Sequence, residues 1–318
     1  MRRLLIAVLA VLAVLAALIV VNAVVVGGES KPARAAEGGR VLELPAGDLN
    51  VRDVGPRDAP AIVLVHCYTC SLRYWQELEP LLARDRRVIS VDLLGHGDSE
   101  KPADADAYSM EHQADAVAEA LDALDAPPAL AVGQSLGGPV VTALAERHPE
   151  RVRGLVVMDS AASRDSVDLP LTARLARAPV IGPLLKRVAP DGVVREELSK
   201  AFAEGYEVPD EFVADVQGMT FTSFAESAKA GNRYGDEGTL DERIAATGLP
   251  LTVIFGAEDR IVDPADAEAF RDVPGARVVV IPAIGHTPQL EAPARSARLV
   301  RQLDRQTLPA TDNAPASS

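Results

Sequence analysis

The stretch Ala-Leu-Ala-Val-Gly-Gln-Ser-Leu-Gly-Gly, residues 129–138, decides the fold of this 318-residue chain. Its first residues are apolar and typical of a buried strand, whereas the residues after the serine have a helical pattern. Glycines flank Ser135 in the spacing G-x-S-x-G, so the strand passes into the helix through a sharp turn. The sequence predicts a serine hydroxyl exposed on a strained elbow, with Gly133, Gln134 and Gly137 forming the turn.

Short apolar runs rich in β-branched residues recur on both sides of this elbow. Such runs are typical of strands buried on both faces of a parallel sheet. Helical patterns separate several of them, and a leading hairpin is expected at residues 40–54. The alternation predicts an α/β fold with a doubly wound, mostly parallel sheet. The predicted strands are residues 61–66, 87–93, 129–132, 152–158, 251–255 and 276–281, and the predicted helices are residues 110–124, 136–147, 265–271 and 294–303.

One long region interrupts the alternation. Residues 163–247 contain helical pieces without a strand pattern, and a helical insertion of this kind is expected to cover the carboxyl edge of the sheet, where open α/β sheets bind ligands. Residues 40–162 and 248–307 then form the core. The phenylalanines of this predicted cap either pack it onto the core or line an apolar acyl pocket. They are Phe202, Phe212, Phe221 and Phe224.

The N-terminus has the pattern of a membrane-targeting segment. Arg2 and Arg3 precede residues 4–26, which are apolar except for Asn22, and a helix of that length spans roughly 34 Å. The apolar region of a signal peptide usually has about 7 to 15 residues, so an uncleaved signal anchor is favoured over a cleaved signal peptide. The positive-inside rule predicts an extracytoplasmic, membrane-anchored protein, or a secreted one after cleavage.

Two other segments are predicted to lie outside the core. Residues 27–39 are small, polar and rich in breakers, as in a linker, and residues 308–318 are expected to form a disordered tail. The formal net charge is −14, which disfavours nucleic acid as a partner. A small, apolar, ester-like molecule is the expected substrate.

A serine hydroxyl is a weak nucleophile and needs a base, and the chain has five histidines. Hydrolases with this elbow carry the acid and then the base after the serine. Three histidines precede Ser135, and His148 follows it on the predicted helix at about 20 Å along the axis. His286, after the last predicted strand, is therefore the predicted base, and Asp259 is the acid that orients it. Glu258, Asp263 and Asp159 are the alternatives for the acid.

Further motifs occur in a consistent order along the chain. Residues 92–99 (DLLGHGDS) are similar to a D-x-x-G-x-G-x-S turn, residues 256–264 (GAEDRIVDP) to a G-x-x-D-x-x-V-x-P segment that carries the acid, and residues 285–293 (GHTPQLEAP) to the block that carries the histidine. Over residues 41–303 the chain resembles the α/β-hydrolase fold superfamily, in its capped branch of esterases, carbon–carbon hydrolases and haloperoxidase-like proteins. The related dehalogenase and epoxide-hydrolase branches carry aspartate at the elbow.

The resemblance also implies an oxyanion hole formed by the backbone N–H groups of Tyr68 and Leu136. The chain departs from the family pattern His-Gly-x here, since Cys67 occupies the position of the glycine. Cys67 and Cys70 are the only cysteines, and in an exported protein they either form a disulfide or remain buried thiols. No metal or organic cofactor is implied, and the lack of a second cysteine pair disfavours zinc.

These features predict a serine hydrolase that cleaves an ester-like carbonyl substrate through an acyl-enzyme. A carbon–carbon bond hydrolase or a cofactor-free perhydrolase could use the same triad. A fold used for binding without catalysis and a redox protein using Cys67 and Cys70 as a dithiol are further hypotheses. The dithiol hypothesis leaves Ser135, Asp259 and His286 without a role.

Overall fold

The computed structural model describes residues 2–36, 38–163 and 171–308. Its central sheet consists of the strands Arg40–Leu42 (β1), Leu49–Val54 (β2), Ala61–Val65 (β3), Arg87–Val91 (β4), Ala129–Gln134 (β5), Val152–Met158 (β6), Leu251–Gly256 (β7) and Arg277–Ile281 (β8). Their order across the sheet is β1-β2-β4-β3-β5-β6-β7-β8. The pairs β1–β2 and β2–β4 are antiparallel and the other pairs are parallel. The predicted α/β fold with a mostly parallel sheet is confirmed.

The central strands are buried along their whole length, as their continuous apolar runs require. Every residue of β3, β4, β5 and β7 is buried, whereas the edge strand β8 is mostly exposed or half-buried. Strand β5 runs two residues further than the sequence pattern predicts, because Gly133 and Gln134 continue the pairing with Val157 and Met158 of β6. The strand therefore reaches Ser135 directly.

The described helices are α1 (Arg2–Gly27), α2 (Glu79–Leu82), α3 (Met110–Ala123), α4 (Gly137–Arg147), α5 (Leu171–Ala176), α6 (Gly182–Val188), α7 (Asp191–Ser199), α8 (Asp210–Gly218), α9 (Phe221–Asp236), α10 (Leu240–Thr247), α11 (Pro288–Glu291) and α12 (Pro293–Thr307). The predicted helix at residues 265–271 is instead the 3-10 helix Pro264–Asp272. Asp263 starts it, because its carboxylate accepts a hydrogen bond from the Ala265 N–H at 2.9 Å. Short 3-10 helices also occur at Leu72–Trp75, Ala105–Tyr108 and Pro149–Arg151.

Alternate residues of the strands supply two apolar cores, one on each face of the sheet. Val63 and Ala131 point into the larger core, which they share with apolar residues of α3 and α4. Leu64 and Val132, their neighbours in the chain, point into the second core, which α2 and α12 complete. Because helices cover both faces of the sheet, polar residues that bind or react with a ligand are expected at the ends of the strands.

Helices α5 to α10, which we call the cap, lie between β6 and β7, and the described residues of this region include no strand. Several of its aromatic rings pack onto one another and onto the core. Tyr74 stacks on Phe212 with ring centroids 4.0 Å apart, and Phe202 stacks on Tyr206 at 4.1 Å. Of the two expectations for the cap phenylalanines, packing therefore accounts for Phe202 and Phe212. Residues 164–170 of the predicted cap and 309–318 of the predicted tail lie outside the described residues.

The segment after α1 lies along the core and the cap. Lys31 forms an antiparallel bridge with Lys101, and Arg34 makes an ion pair with Asp98 at 2.6 Å. The hydroxyl of Thr222 on α9 donates to the carbonyl of Gly27 at 3.0 Å. The predicted linker is thus held by specific contacts in its described part. Among the described residues, no helix has both the length and the apolar character that a membrane crossing requires.

Candidate active site

Ser135 occupies the sharp turn between β5 and α4. Its φ of 52° lies in the left-handed region, which is rare for residues with a side chain. A Cβ atom at Gly133 would overlap the carbonyl oxygen of Gly137, and one at Gly137 would overlap the carbonyl oxygen of Val65. The amide of Ser135 donates to the carbonyl of Met158 on β6 at 2.8 Å. The elbow is therefore fixed on both sides, with its serine half-buried.

Asp259 lies three residues past the end of β7 and contacts His286. Its Oδ2 lies 2.7 Å from Nδ1 of His286, and its Oδ1 accepts from the backbone N–H groups of Ile261 at 2.7 Å and Val262 at 3.0 Å. Burial acts to raise the pKa of Asp259, but His286 and the two N–H groups outweigh it and hold the pKa below its usual value. The carboxylate is thus ionised and orients the imidazole, as a catalytic acid must.

The other candidates for the acid do not make this contact. Glu258 and Asp263 are exposed, and Asp263 is engaged at the start of the 3-10 helix. Asp159 follows β6 and is buried close to both Asp259 and His286, where its Oδ1 accepts from the N–H of Gly256 at 2.8 Å. The structure therefore places Asp259 in the predicted position and adds Asp159 beside it.

The loop that carries His286 is held by both the core and the cap. The backbone N–H of His286 donates to the carbonyl of Ala201 in the cap at 2.8 Å. The side-chain amide of Gln134 donates to the carbonyl of His286 at 2.8 Å. Since Gln134 precedes the serine, the elbow and the histidine loop are coupled directly. The predicted triad needs two hydrogen bonds, one between Asp259 and His286 and one between His286 and the Ser135 hydroxyl. The first is present, whereas the Ser135 hydroxyl makes no hydrogen bond to a described residue. Such serine–histidine bonds often tighten only when substrate is in place.

The other four histidines have structural contacts. His112 Nε2 lies 2.8 Å from the carbonyl of Ala46, and His148 Nε2 lies 2.7 Å from Asp115. His66 and His96 are fully buried, and burial lowers the pKa of both. His148 ends α4, at the opposite end of that helix from the serine. Among the histidines of the described residues, His286 is thus the one whose ring contacts the predicted acid, Asp259.

The loop after β3 carries Tyr68 and contains a disulfide between Cys67 and Cys70, whose Cα atoms are 5.2 Å apart. His66 fixes the start of the loop. Its Nε2 accepts from the Leu93 N–H at 3.1 Å, so its Nδ1 carries the proton and donates to the carbonyl of Cys67 at 2.8 Å. Both cysteines are buried, which leaves the sulfurs poorly accessible for dithiol exchange.

Cap helix α9 holds the same loop from the other side. The Tyr68 hydroxyl donates to the carbonyl of Phe224 at 2.6 Å, and Arg177 lies over the Tyr68 ring at 5.0 Å from its centroid. Burial raises the pKa of Tyr68 to about 12, so the hydroxyl stays a donor. Within the described residues, the backbone N–H groups of Tyr68 and Leu136 donate no hydrogen bond. Both are therefore free to bind an oxyanion.

Asp92 is a site residue whose role the sequence pattern did not reveal. It is fully buried, and its Oδ1 accepts from the Leu72 N–H at 2.6 Å. Leu72 lies at the far end of the loop 66–72 after β3, which we call the oxyanion loop because it carries Tyr68. Its Oδ2 accepts from Asn50 at 2.8 Å and from the Asp98 N–H at 2.9 Å. A Cβ at Gly97 would overlap this carboxylate. The D-x-x-G-x-G-x-S turn thus holds the oxyanion loop in place through the carboxylate of Asp92.

Asp215 of α8 joins the cap to the oxyanion loop. Its Oδ2 accepts from the Ser71 hydroxyl at 2.5 Å, and its Oδ1 pairs with Arg73 at 2.6 Å. Burial is the main cause that raises the pKa of Asp215, to about 7. Asp92 and Asp98 raise it further, while Ser71 and Arg73 oppose the shift. The contact between cap and loop therefore contains a carboxyl group that titrates near neutral pH.

Raising the pH from about 5 to about 8 is expected to destabilise the wild type more than an Asp215→Asn variant. A carboxyl whose pKa is higher in the folded than in the unfolded chain stabilises the fold below about pH 4, and this contribution is lost as the pH rises towards about 7. Asparagine has no such proton. Urea unfolding at both pH values measures the difference, and equal changes in the free energy of unfolding would contradict it.

One group of potential metal ligands occurs among the described residues. The ligand atoms of Asp159, Asp259 and His286 lie within 4.8 Å of one another. The imidazole and one carboxylate already share a hydrogen bond at 2.7 Å, which favours proton transfer rather than metal binding as the use of this group. A cavity of about 300 Å³ borders Asp259 and Arg260, and another of about 540 Å³ lies in the cap between Arg195 and Tyr206.

The sequence profile of the α/β hydrolase fold matches residues 60–293. The chain belongs to the α/β-hydrolase family. It is 35% identical over 237 residues to the 2-hydroxymuconate semialdehyde hydrolase of Pseudomonas sp. (strain CF600), a match that covers 71% of this chain and 79% of that one. It is 31% identical over 255 residues to the pimeloyl-(acyl-carrier protein) methyl ester esterase of Neisseria meningitidis serogroup A, which covers 77% of each.

A similar solved structure is that of a thermophilic esterase from Thermogutta terrifontis. It superposes on this α/β-hydrolase with a TM-score of 0.68 and 26% sequence identity, covering 85% of this chain and 98% of the esterase. Together the matched profile, the relatives and the fold show that the protein is a hydrolase of the α/β-hydrolase family.

Proposed function

We propose that this α/β-hydrolase is a serine esterase that cleaves a small ester-like substrate through an acyl-enzyme. The observation that carries the proposal is the hydrogen bond between Asp259 and His286 at the same edge of the sheet as Ser135. An ionised carboxylate fixed by three donors leaves Nε2 of the imidazole as the proton acceptor. The relatedness to a methyl ester esterase supports the substrate class.

The mechanism follows from the position of each group. His286 takes the proton of the Ser135 hydroxyl, and the serine oxygen attacks the substrate carbonyl carbon. The N–H groups of Tyr68 and Leu136 bind the oxygen that becomes negatively charged. His286 then protonates the leaving alcohol, and Asp259 stabilises the imidazolium in between. Water, activated by the same histidine, releases the acid from Ser135 and restores the enzyme.

The test is pre-steady-state hydrolysis of p-nitrophenyl esters with short and medium acyl chains. We expect a burst of p-nitrophenol equal to the enzyme concentration, followed by slower turnover, because hydrolysis of the acyl-enzyme is expected to be slower than its formation from these activated esters. Exposed residues such as Glu258 should not affect the burst, so Glu258→Gln is the matched control. Folded enzyme that leaves every ester intact would rule out the esterase proposal.

The second candidate is hydrolysis of a carbon–carbon bond next to a carbonyl. It is supported by the 35% identity to 2-hydroxymuconate semialdehyde hydrolase. The same elbow and the same Asp259–His286 pair serve both reactions, but the leaving group here is a carbanion that must be protonated on carbon. Comparison of kcat/KM on p-nitrophenyl esters and on 2-hydroxymuconate semialdehyde separates them, since a site that fits one of the two transition states is expected to favour that substrate by at least about tenfold.

Loss of the disulfide is expected to lower kcat for ester hydrolysis by about 10- to 100-fold. The Cys67–Cys70 bond restrains the loop that presents the Tyr68 amide, and removal of a complete oxyanion donor costs about 100- to 1000-fold. A loosened donor should cost less than a missing one. Steady-state kinetics of a Cys67→Ala/Cys70→Ala double variant measure the effect, with thiol titration to show that the wild type has no free thiols. An unchanged kcat would show that the loop needs no covalent restraint.

We also propose that the enzyme acts outside the cytoplasm, attached through its N-terminal segment. The proposal is supported by the sequence of residues 2–26, in which two arginines precede an apolar stretch. A fusion of residues 1–40 to alkaline phosphatase, expressed in a bacterium, tests it. Phosphatase activity is expected, since that enzyme is active only after export, and an inactive fusion would contradict the location.

A further inference from the structure

Asp159 is a buried carboxyl group for which the mechanism above has no use. It follows β6 directly, with a φ of 45° in the left-handed region and no exposed surface. Its amide donates to the carbonyl of Ile254 on β7 at 2.9 Å, and its Oδ1 accepts from the Gly256 N–H at 2.8 Å. Strained residues held this firmly cluster at functional sites. The side chain therefore lies where its chemistry can reach the acid–base pair.

The second carboxyl oxygen of Asp159 accepts no hydrogen bond from a described residue. Its Oδ2 is buried without a hydrogen-bond donor among the described residues, although Asp159 lies within 4.8 Å of Asp259 and His286. The titratable groups that face it are Asp259, His286 and Glu291. Two carboxyl groups this close in a buried site cannot both ionise, because their mutual repulsion adds to the cost of burial.

The surroundings decide which carboxyl group keeps the proton. Asp259 has the imidazole of His286 and two backbone N–H groups as donors, whereas Asp159 has a single N–H group. Burial, followed by the charge of Asp259, raises the pKa of Asp159 well above its usual value. Asp159 is thus the neutral partner, and its O–H group needs an acceptor.

We propose that Asp159 is a protonated positioning residue that donates a hydrogen bond from Oδ2 to the carboxylate of Asp259. This inference rests on the proposed function of Asp259 and His286. The bond fixes the orientation of Asp259 in addition to its contact with His286 and withdraws part of its negative charge. His286 is therefore less basic than it would be beside an unshared carboxylate.

The neighbours of Asp159 connect this pair to the nucleophile. The carbonyl of Met158 accepts from the Ser135 amide at 2.8 Å, and the Ser160 hydroxyl donates to the Ser135 carbonyl at 2.8 Å. The consecutive residues Met158, Asp159 and Ser160, at the end of β6, thus contact the serine backbone and lie beside the proposed catalytic acid. A change in the hydrogen bond of Asp159 is therefore expected to affect the base, His286, through Asp259.

The first test is infrared spectroscopy, which does not depend on activity. At about pH 8.5, where Asp215 is largely ionised, the wild-type spectrum minus that of Asp159→Asn should contain a carboxylic-acid C=O band. The Glu258→Gln control should lack this difference. Absence of the band from the wild-type difference spectrum would overturn the proposal, and this readout holds even if esters prove not to be substrates.

The second test is the acid limb of kcat/KM, which reports the pKa of the base in the free enzyme. Asp159→Asn keeps an N–H donor to Asp259 and should shift the limb by less than about 0.3 pH unit. Asp159→Gly suits the left-handed backbone and removes the donor, so the limb should move up by about 0.5 unit. A downward shift of about one unit or more in Asp159→Asn would show that Asp159 was ionised, and would overturn the proposal.

Discussion

Replacement of Ser135 by alanine is expected to reduce kcat for ester hydrolysis by about 10⁴- to 10⁶-fold and to leave the fold intact. The hydroxyl is the attacking group of the proposed mechanism, so no other described side chain at the elbow can replace it. Its removal should cost little stability, because it makes no hydrogen bond to a described residue and the glycines on either side keep the turn. Kinetics on p-nitrophenyl esters and urea unfolding measure the two parts of this prediction.

The matched control is Ser199→Ala, at the end of α7 in the cap, where the hydroxyl donates only to the carbonyl of Glu196. This variant should retain wild-type kcat. If Ser135→Ala kept more than about a tenth of the wild-type rate, the loss would be too small for a nucleophile, and the acyl-enzyme mechanism would be wrong.

Replacement of Gly256 by alanine is expected to destabilise the protein by about 3 kcal/mol or more. Gly256 ends β7, and a Cβ atom there would overlap the carbonyl oxygen of Gly285, next to His286. The same residue donates its N–H to Asp159. The methyl group must therefore push the histidine loop away from the acid, so ester hydrolysis should fall together with the melting temperature. Differential scanning calorimetry and ester kinetics on the same sample check both effects.

Gly192→Ala is the matched control for this prediction. Gly192 lies in α7 with no atom within 4 Å of the position of a Cβ, and alanine is the better helix former. The control should be neutral or slightly stabilised, with unchanged activity. A Gly256→Ala variant as stable as this control would show that the His286 loop moves freely, in conflict with the tight packing described above.

The elbow and the order of the site residues could be predicted because they depend on local chemistry. Only glycine fits at residues 133 and 137, and the structure shows the backbone overlaps that a side chain would create there. A buried parallel sheet requires continuous apolar runs, so its strands can be predicted from the sequence. The carboxyl ends of these parallel strands share one edge of the sheet. Asp259 and His286 follow two of those strands and meet at this edge.

The supporting contacts could not be predicted, because they join residues that are distant in the chain. The hydrogen bond from Ser71 to Asp215 joins residues 144 positions apart in the chain. It forms only when α8 packs on the oxyanion loop. The role of Asp159 depends on the sheet order, which puts β6 between β5 and β7. Its protonation depends further on how many donors each carboxyl group receives. Such counts are a property of the packed site and not of any sequence pattern.

The most direct measurement of the central claim is the position of a fluorophosphonate adduct, mapped by mass spectrometry of the digested protein. The account predicts one adduct, on Ser135, in the folded wild type, and at least about a hundredfold slower labelling in His286→Ala because the base is missing. An adduct on another residue, or labelling of Ser135 that is equally fast without the imidazole, would contradict it.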